Sequence, residues 1–234
     1  MSDPIRIALV AEGPTDRIVL EAAIRRLLGD TPFKIQQLQP EESLGFLSPG
    51  CGLGWGGVYR WCRKAVERSG GEIENDILFR TYRILIVHLD ADVGEEEYSN
   101  AGIDDMENDL PCAEPCPPAS DTTNRLRSTL LRWLGRATTP ANTVLCTPSR
   151  NTESWVLCAL YPGDAVVTSG TLECFESPET RLQAKPLRGR IISGGKKHLA
   201  SYRARQDEIC TAWPTVREIC SEADRFSIEF LAVL

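Results

Sequence analysis

Glu12, Asp16, Asp90 and Asp92 are the residues of this chain whose types and spacing best suit chemistry. Glu12 follows the apolar run Ile7-Ala8-Leu9-Val10-Ala11 and opens the segment Glu12-Gly13-Pro14-Thr15-Asp16. Asp90-Ala91-Asp92 follows Ile84-Leu85-Ile86-Val87-His88-Leu89. Both runs are too short for independent helices and rich in β-branched residues, so they read as buried strands of a parallel sheet. Ligands of open α/β sheets bind beyond the carboxyl ends of the strands, which directs Glu12, Asp90 and Asp92 toward one cleft. Carboxylates gathered there repel one another unless protons or a divalent cation neutralise them. Hard oxygen donors favour Mg²⁺ or Mn²⁺.

The elements that must position these groups are legible in outline. After Pro14, Leu20, Ile24, Leu27 and Leu28 share one helical face, and Gly29 ends the helix. Phe33 to Leu38 alternates as a second strand. The glycine-rich stretch Cys51 to Gly57 precedes a helix bearing Val58, Trp61, Cys62 and Val66. It spells a dinucleotide fingerprint without a preceding strand, so it reads as a flexible loop beside the cleft. Arg83 to Leu89 is apolar on both faces and belongs in the middle of the sheet. Ser120 and Asp121 cap a helix with Leu126, Leu130, Leu131 and Leu134, stopped by Gly135. Thr143 to Cys146 is a fourth strand. Ser149 to Glu153 then lead into a helix over Ser154 to Leu160, which places Arg150 and Glu153 at a strand-to-helix turn. Two helices, Val216 to Ala223 and Phe226 to Leu234, close the pattern.

The fold class expected is α/β, Rossmann-like, with about four mostly parallel strands flanked by helices. Residues 1–160 form the catalytic unit and residues 161–234 a C-terminal elaboration packed on it. The 234 residues can bury an ample core. Residues 90–121 contain eleven Asp or Glu and no Lys or Arg, so the net charge of −7 divides into −11 there and +4 elsewhere. Acidic and proline-rich, that stretch reads as an insertion or mobile flap. The basic excess gathers in Lys185, Arg188, Arg190, Lys196, Lys197, Arg203 and Arg205, where a phosphate backbone could be gripped. Nine cysteines beside apolar neighbours fit buried thiols of a reducing cytosol, and Cys112 with Cys116 lacks the further ligands that zinc requires. With no apolar leader and no run of about 18 apolar residues, a soluble cytoplasmic protein with no membrane association is expected.

An apolar strand ending in Glu12-Gly13-Pro14-Thr15-Asp16, a helix, and a later strand ending in Asp90-Ala91-Asp92 resemble the TOPRIM domain. Topoisomerases, primases, RNA-maturation nucleases and OLD-type nucleases of prokaryotic defence share that domain. The resemblance covers residues 5–28 and 82–92 and extends more loosely to 149–160 and 194–202. It implies that Glu12, Asp90 and Asp92 hold Mg²⁺ or Mn²⁺ and that Asp16 serves a second ion. It also implies that Lys196 or Lys197 faces the scissile phosphate, where a fixed ammonium would stabilise developing charge.

Glu153, at a helix start, is either a complement to the helix dipole or a further metal ligand. Arg150, Lys196, Lys197, His198 and Arg203 are the candidate nucleic-acid contacts, with His198 also suited to proton transfer. His88, alone in an apolar strand, reads as a core residue. The function implied is a metal-dependent nuclease acting on DNA or RNA in antiphage or antiplasmid defence, with an ABC or OLD-type ATPase partner, and a homodimer stays open. Two other readings compete. One is a non-catalytic nucleotide- or partner-binding module, and the other a HAD-type phosphohydrolase with Asp90 as nucleophile, since Asp90-Ala91-Asp92-Val93 also spells that motif.

Overall fold

The computed structural model describes residues 3–41, 50–104, 108–186 and 189–234; Arg188 of the basic segment and residues 105–107 of the acidic stretch lie outside them. In chain order the main elements are β1 (Ile5–Val10), α1 (Pro14–Leu28), β2 (Phe33–Gln39), α2 (Gly54–Arg68), α3 (Leu78–Thr81), β3 (Ile84–His88), α4 (Ser120–Trp133), β4 (Thr143–Cys146) and α5 (Thr152–Leu160). There follow α6 (Ala165–Thr168), α7 (Pro178–Gln183), β5 (Ile192–Ser193), β6 (Lys196–Lys197), α8 (Leu199–Ala204), α9 (Gln206–Ile219) and α10 (Ser221–Ala232).

Four strands pair in parallel in the order β2-β1-β3-β4. Ile7 is opposite Ile35 on one side and Ile84 on the other, and Leu85 is opposite Thr143. Parallel strands need crossover helices, and those helices cover both faces. Ile7, Leu9, Ile84, Ile86 and Val144 face a core with α1, α5, α9 and α10. Ala8, Val10, Leu85, Val87 and Leu145 face a second core with α2, α4 and part of the acidic stretch. The chain goes from β1 to β2 on one side and then to β3 on the other, so the strand order reverses between β1 and β3. Such a switch point opens a crevice at the carboxyl ends of those two strands.

Three expectations are corrected. The glycine-rich stretch is no free loop, because Gly54, Gly56 and Gly57 form the first turn of α2 and the Gly54 N–H donates to the Glu12 carbonyl at 3.0 Å. A Cβ on Gly57 would lie 2.6 Å from the Gly52 oxygen and collide with the Gln39 amide, so the glycine permits a close approach. The acidic stretch is folded where it is described. Tyr98, Leu110 and Cys112 are buried against the second core, the Tyr98 hydroxyl accepts from Trp133 Nε1 and donates to Asp109, each at 2.8 Å, and Arg132 holds Asp109 at 2.7 Å. Its aromatic anchor outweighs its charge. The two last helices divide at Cys220, whose backbone is extended, and not between Ala223 and Phe226.

The cysteines also depart from expectation, since Cys116 and Cys174 form a disulfide with Cα atoms 5.5 Å apart, joining the acidic stretch to the C-terminal region. The other seven cysteines are free, and with Cys116 engaged the Cys112 and Cys116 pair is no metal site. No helix among the described residues is long and apolar enough to cross a membrane.

Asp164 clamps the segment after α5. Its side chain, 1% exposed, accepts from the Val166 N–H at 2.9 Å and pairs with Arg181 at 2.9 Å and with Lys185. Burial alone would raise its pKa, but Lys185, Arg181 and Val166 together hold it down to about 2. An unfolded Asp titrates near about 3.9, so this stabilisation is complete above that value and is lost as pH falls through the folded value. Asp164→Asn is expected to cost about 2 kcal/mol at neutral pH and to flatten stability against pH over roughly pH 2 to 4. Urea unfolding across that range checks it, and overlapping profiles would leave the clamp without energetic weight.

Candidate metal centre

Glu12 leaves the end of β1 and Asp90 the end of β3, on either side of the switch point. The Asp90 N–H donates to Glu12 Oε1 at 2.8 Å, so the two strand ends are tied through an acidic side chain. Asp90 Oδ1 accepts from the Thr152 N–H at 3.2 Å and lies 3.3 Å from His88 Nε2. Donor atoms of Glu12, His88 and Asp90 all lie within 4.8 Å of one another.

Asp16 is buried beside them. Its Oδ2 accepts the Gly13 N–H at 2.9 Å, which caps α1, and its Oδ1 accepts the Thr152 hydroxyl at 2.9 Å. His88 Nδ1 is 4.0 Å from Asp16. Asp92, part-exposed, contacts Asn151 Nδ2 at 3.5 Å, and its own N–H donates to the Arg150 carbonyl at 3.0 Å.

The electrostatics follow from this crowding. Burial and then the charge of Asp90 push the Glu12 pKa well above the carboxylate range, with Asp16 and Asp92 adding to the rise. Burial likewise pushes Asp90 up to about 7, against the pull of His88 and with the push of Asp16 and Asp92. Asp92 is raised by burial although Arg150 opposes it. For His88 burial disfavours the cation, but Asp90 and Asp16 outweigh it and raise the value. Among the described residues no Lys or Arg is ion-paired with Glu12, Asp16, Asp90 or Asp92.

Glu153 is fully buried, and both its oxygens are engaged. Lys197 Nζ lies 2.7 Å from Oε2, and the Tyr202 hydroxyl donates to Oε1 at 2.6 Å. Lys197 reaches it from the β5–β6 hairpin, whose turn residues Gly194 and Gly195 both have positive φ, as a tight two-residue connection requires. Burial would lower the Lys197 pKa, but Glu153, Asp16 and Asp90 raise it, so the ammonium stays charged and helps hold Asp92 down. Glu179 approaches from α7 and accepts from Asn151.

Of the residues expected at the site, Glu12, Asp16, Asp90, Asp92, Glu153 and Lys197 are brought together. Arg150 stands at the rim, paired with Glu95. Lys196 and His198 are exposed on either side of Lys197, and Arg203 is exposed on α8. Three of the six described members of the basic segment are absorbed by ion pairs, Lys185 with Asp164, Lys197 with Glu153 and Arg205 with Glu208. His88, expected in the core, is a member of the site. Thr152, Tyr202 and Glu179 were not anticipated; only the alternation of His88 with Asp90 along one strand carried a signal.

The donors fit a divalent cation. His88 is buried and neither ring nitrogen makes a hydrogen bond, while two neighbouring carboxylates lack an ion-paired Lys or Arg. The carboxylates suit Mg²⁺ or Mn²⁺, and an imidazole moves the preference toward a transition ion such as Mn²⁺. Strand order and site together define a Rossmann-like α/β protein with carboxylates at its switch point. No protein-family model, no curated protein and no solved structure matches the chain.

Proposed function

We propose that this chain is a metal-dependent nuclease of the TOPRIM-like kind, hydrolysing phosphodiester bonds of DNA or RNA. The observation that carries the reading is the convergence of the donor atoms of Glu12, His88 and Asp90 within 4.8 Å of one another at the β1/β3 switch point. A cation held by Glu12 and Asp90, with His88, Asp92 or Asp16 completing its surroundings, would supply water activation and stabilisation of the leaving oxygen.

The chain's own groups do the rest. Thr152 fixes Asp90 through its N–H and Asp16 through its hydroxyl, so one residue orients two carboxylates. Glu153 and Tyr202 hold Lys197, whose ammonium is suited to charge on a phosphate oxygen. Glu153 then acts as a positioning residue for Lys197. Arg150, whose charge acts on Asp92, would meet a flanking phosphate, and the exposed Lys196, His198 and Arg203 are the further candidates for phosphate contacts. A HAD-type reaction at Asp90 gives Glu12 no task, and the Glu12 to Asp90 contact favours the nuclease. A cytoplasmic role in defence beside an ATPase of the ABC or OLD kind belongs to the same proposal.

Incubation with plasmid, linear DNA and RNA in Mg²⁺ or Mn²⁺, followed by EDTA, tests it. Cleavage that requires the cation is expected, and intact substrates under all conditions would overturn the reading in favour of a binding module.

A further inference from the structure

A basic groove lies away from the acidic centre, along the outer edge of the sheet. β2 is one of the two edge strands, and among the described residues its outer backbone groups have no strand partner. Around that edge runs a groove of about 770 Å³ whose wall includes Arg6, Arg17, Arg25, Lys34, Phe33 and Tyr82, with Glu21 as the single acid. Arg17, Glu21 and Arg25 are four residues apart on α1 and form one stripe. Eight residues of helix make that stripe about 12 Å long, and it begins one residue after Asp16.

Not all of this charge is available. Arg25 is paired with Asp207 at 2.6 Å, and Arg17 contacts the Ile35 carbonyl at 3.5 Å. Arg6 and Lys34 differ. They are register partners on β1 and β2, so their side chains leave the same face of the sheet side by side. Both are exposed, Lys34 makes no ion pair among the described residues, and Arg6 lies over the Tyr82 ring at 5.4 Å. Cations interleaved with aromatic rings along an open groove suit single-stranded nucleic acid, because phosphates meet the charges and bases stack on the rings.

We propose that this groove is a single-strand binding tract, gripping phosphates through Arg6 and Lys34 and stacking a base on Tyr82. The proposal rests on the nuclease reading for its biological sense but is tested apart from it. Charges on an edge strand also deter unwanted strand pairing, a purpose that requires no ligand.

The test measures binding of a fluorescent oligothymidine to the full chain in EDTA by anisotropy at several salt concentrations. Arg6→Gln with Lys34→Gln is expected to weaken binding at least about tenfold and to lower the slope of log K against log salt by about 1.4, at about 0.7 per lost phosphate contact. The control pair Arg63→Gln with Lys64→Gln, exposed on α2, is expected to change affinity much less. Tyr82→Ala should weaken binding without altering the salt slope, which separates stacking from charge. Unchanged affinity and slope in the Arg6 and Lys34 variant, or an equal loss in the control, would overturn the tract. Failure of cleavage with binding intact would overturn the nuclease reading and leave the tract standing.

Discussion

On the nuclease proposal, Asp90→Asn and Glu12→Gln are each expected to lower cation-dependent cleavage by on the order of 10³-fold while the protein stays folded, since losing a proposed metal ligand would remove several kcal/mol of transition-state stabilisation. The substitutions are nearly isosteric. An Asn at 90 keeps an oxygen for the Thr152 N–H, and a Gln at 12 keeps one for the Asp90 N–H, so the local hydrogen bonds survive. What disappears is charge. Single-turnover cleavage, with thermal melting to verify folding, reads the result. Wild-type rates in Asp90→Asn would remove the metal centre from the mechanism, and a trapped aspartyl-phosphate at Asp90 would support the HAD alternative.

The second large effect is on stability, and it needs no substrate. Glu12, Asp90 and Asp92 all have pKa values raised by burial and by one another or their acidic neighbours, so the metal-free site is destabilised by crowded negative charge. The side-chain hydrogen bond of Asp92 is the 3.5 Å contact to Asn151, and the attractions of Arg150 and Lys197 do not cancel the burial that raises its pKa. Asp92→Asn is therefore expected to melt at or above wild type in EDTA, whereas a firmly hydrogen-bonded structural Asp would melt lower when replaced. A cation at about 100 times its dissociation constant should stabilise wild type by roughly 2.7 kcal/mol, a rise of about 5 to 11 °C in melting temperature. The variant should gain clearly less. Differential scanning with Mg²⁺ or Mn²⁺ decides it, and equal shifts in both proteins would place Asp92 outside any metal site.

Sheet and acidic cluster were legible because each rests on a local signal. Ile7 to Val10 and Ile84 to His88 are continuous apolar runs, and Glu12 and Asp90 directly follow such runs, where strand ends expose them. The second tier was hidden for a physical reason: Glu153 is satisfied by Lys197 and Tyr202, more than forty residues onward, and no periodicity encodes that contact. His88 is buried as its apolar strand implied, and what the strand pattern did not reveal is that Asp90 and Asp16 flank the ring. The acidic stretch misled because charge counting ignored Tyr98, Leu110 and Cys112, whose side chains are buried against the second core. Pro214 within α9 obscured the helical pattern before Val216, and Cys220 ends that helix without a Gly or Pro to mark the break.

The β5–β6 hairpin bears on synthesis. Glu12, Asp90 and Thr152 leave the ribosome well before Lys197 and Tyr202, and until those two arrive Glu153 lacks both the cation and the hydroxyl that occupy its oxygens. A carboxylate so placed resists burial, which keeps the start of α5 wet and Thr152 free to move. Asp16 and Asp90 then lose the residue that orients them both. A nascent chain thus carries its acidic groups without the Lys197 and Tyr202 contacts to Glu153 until the late lysine docks.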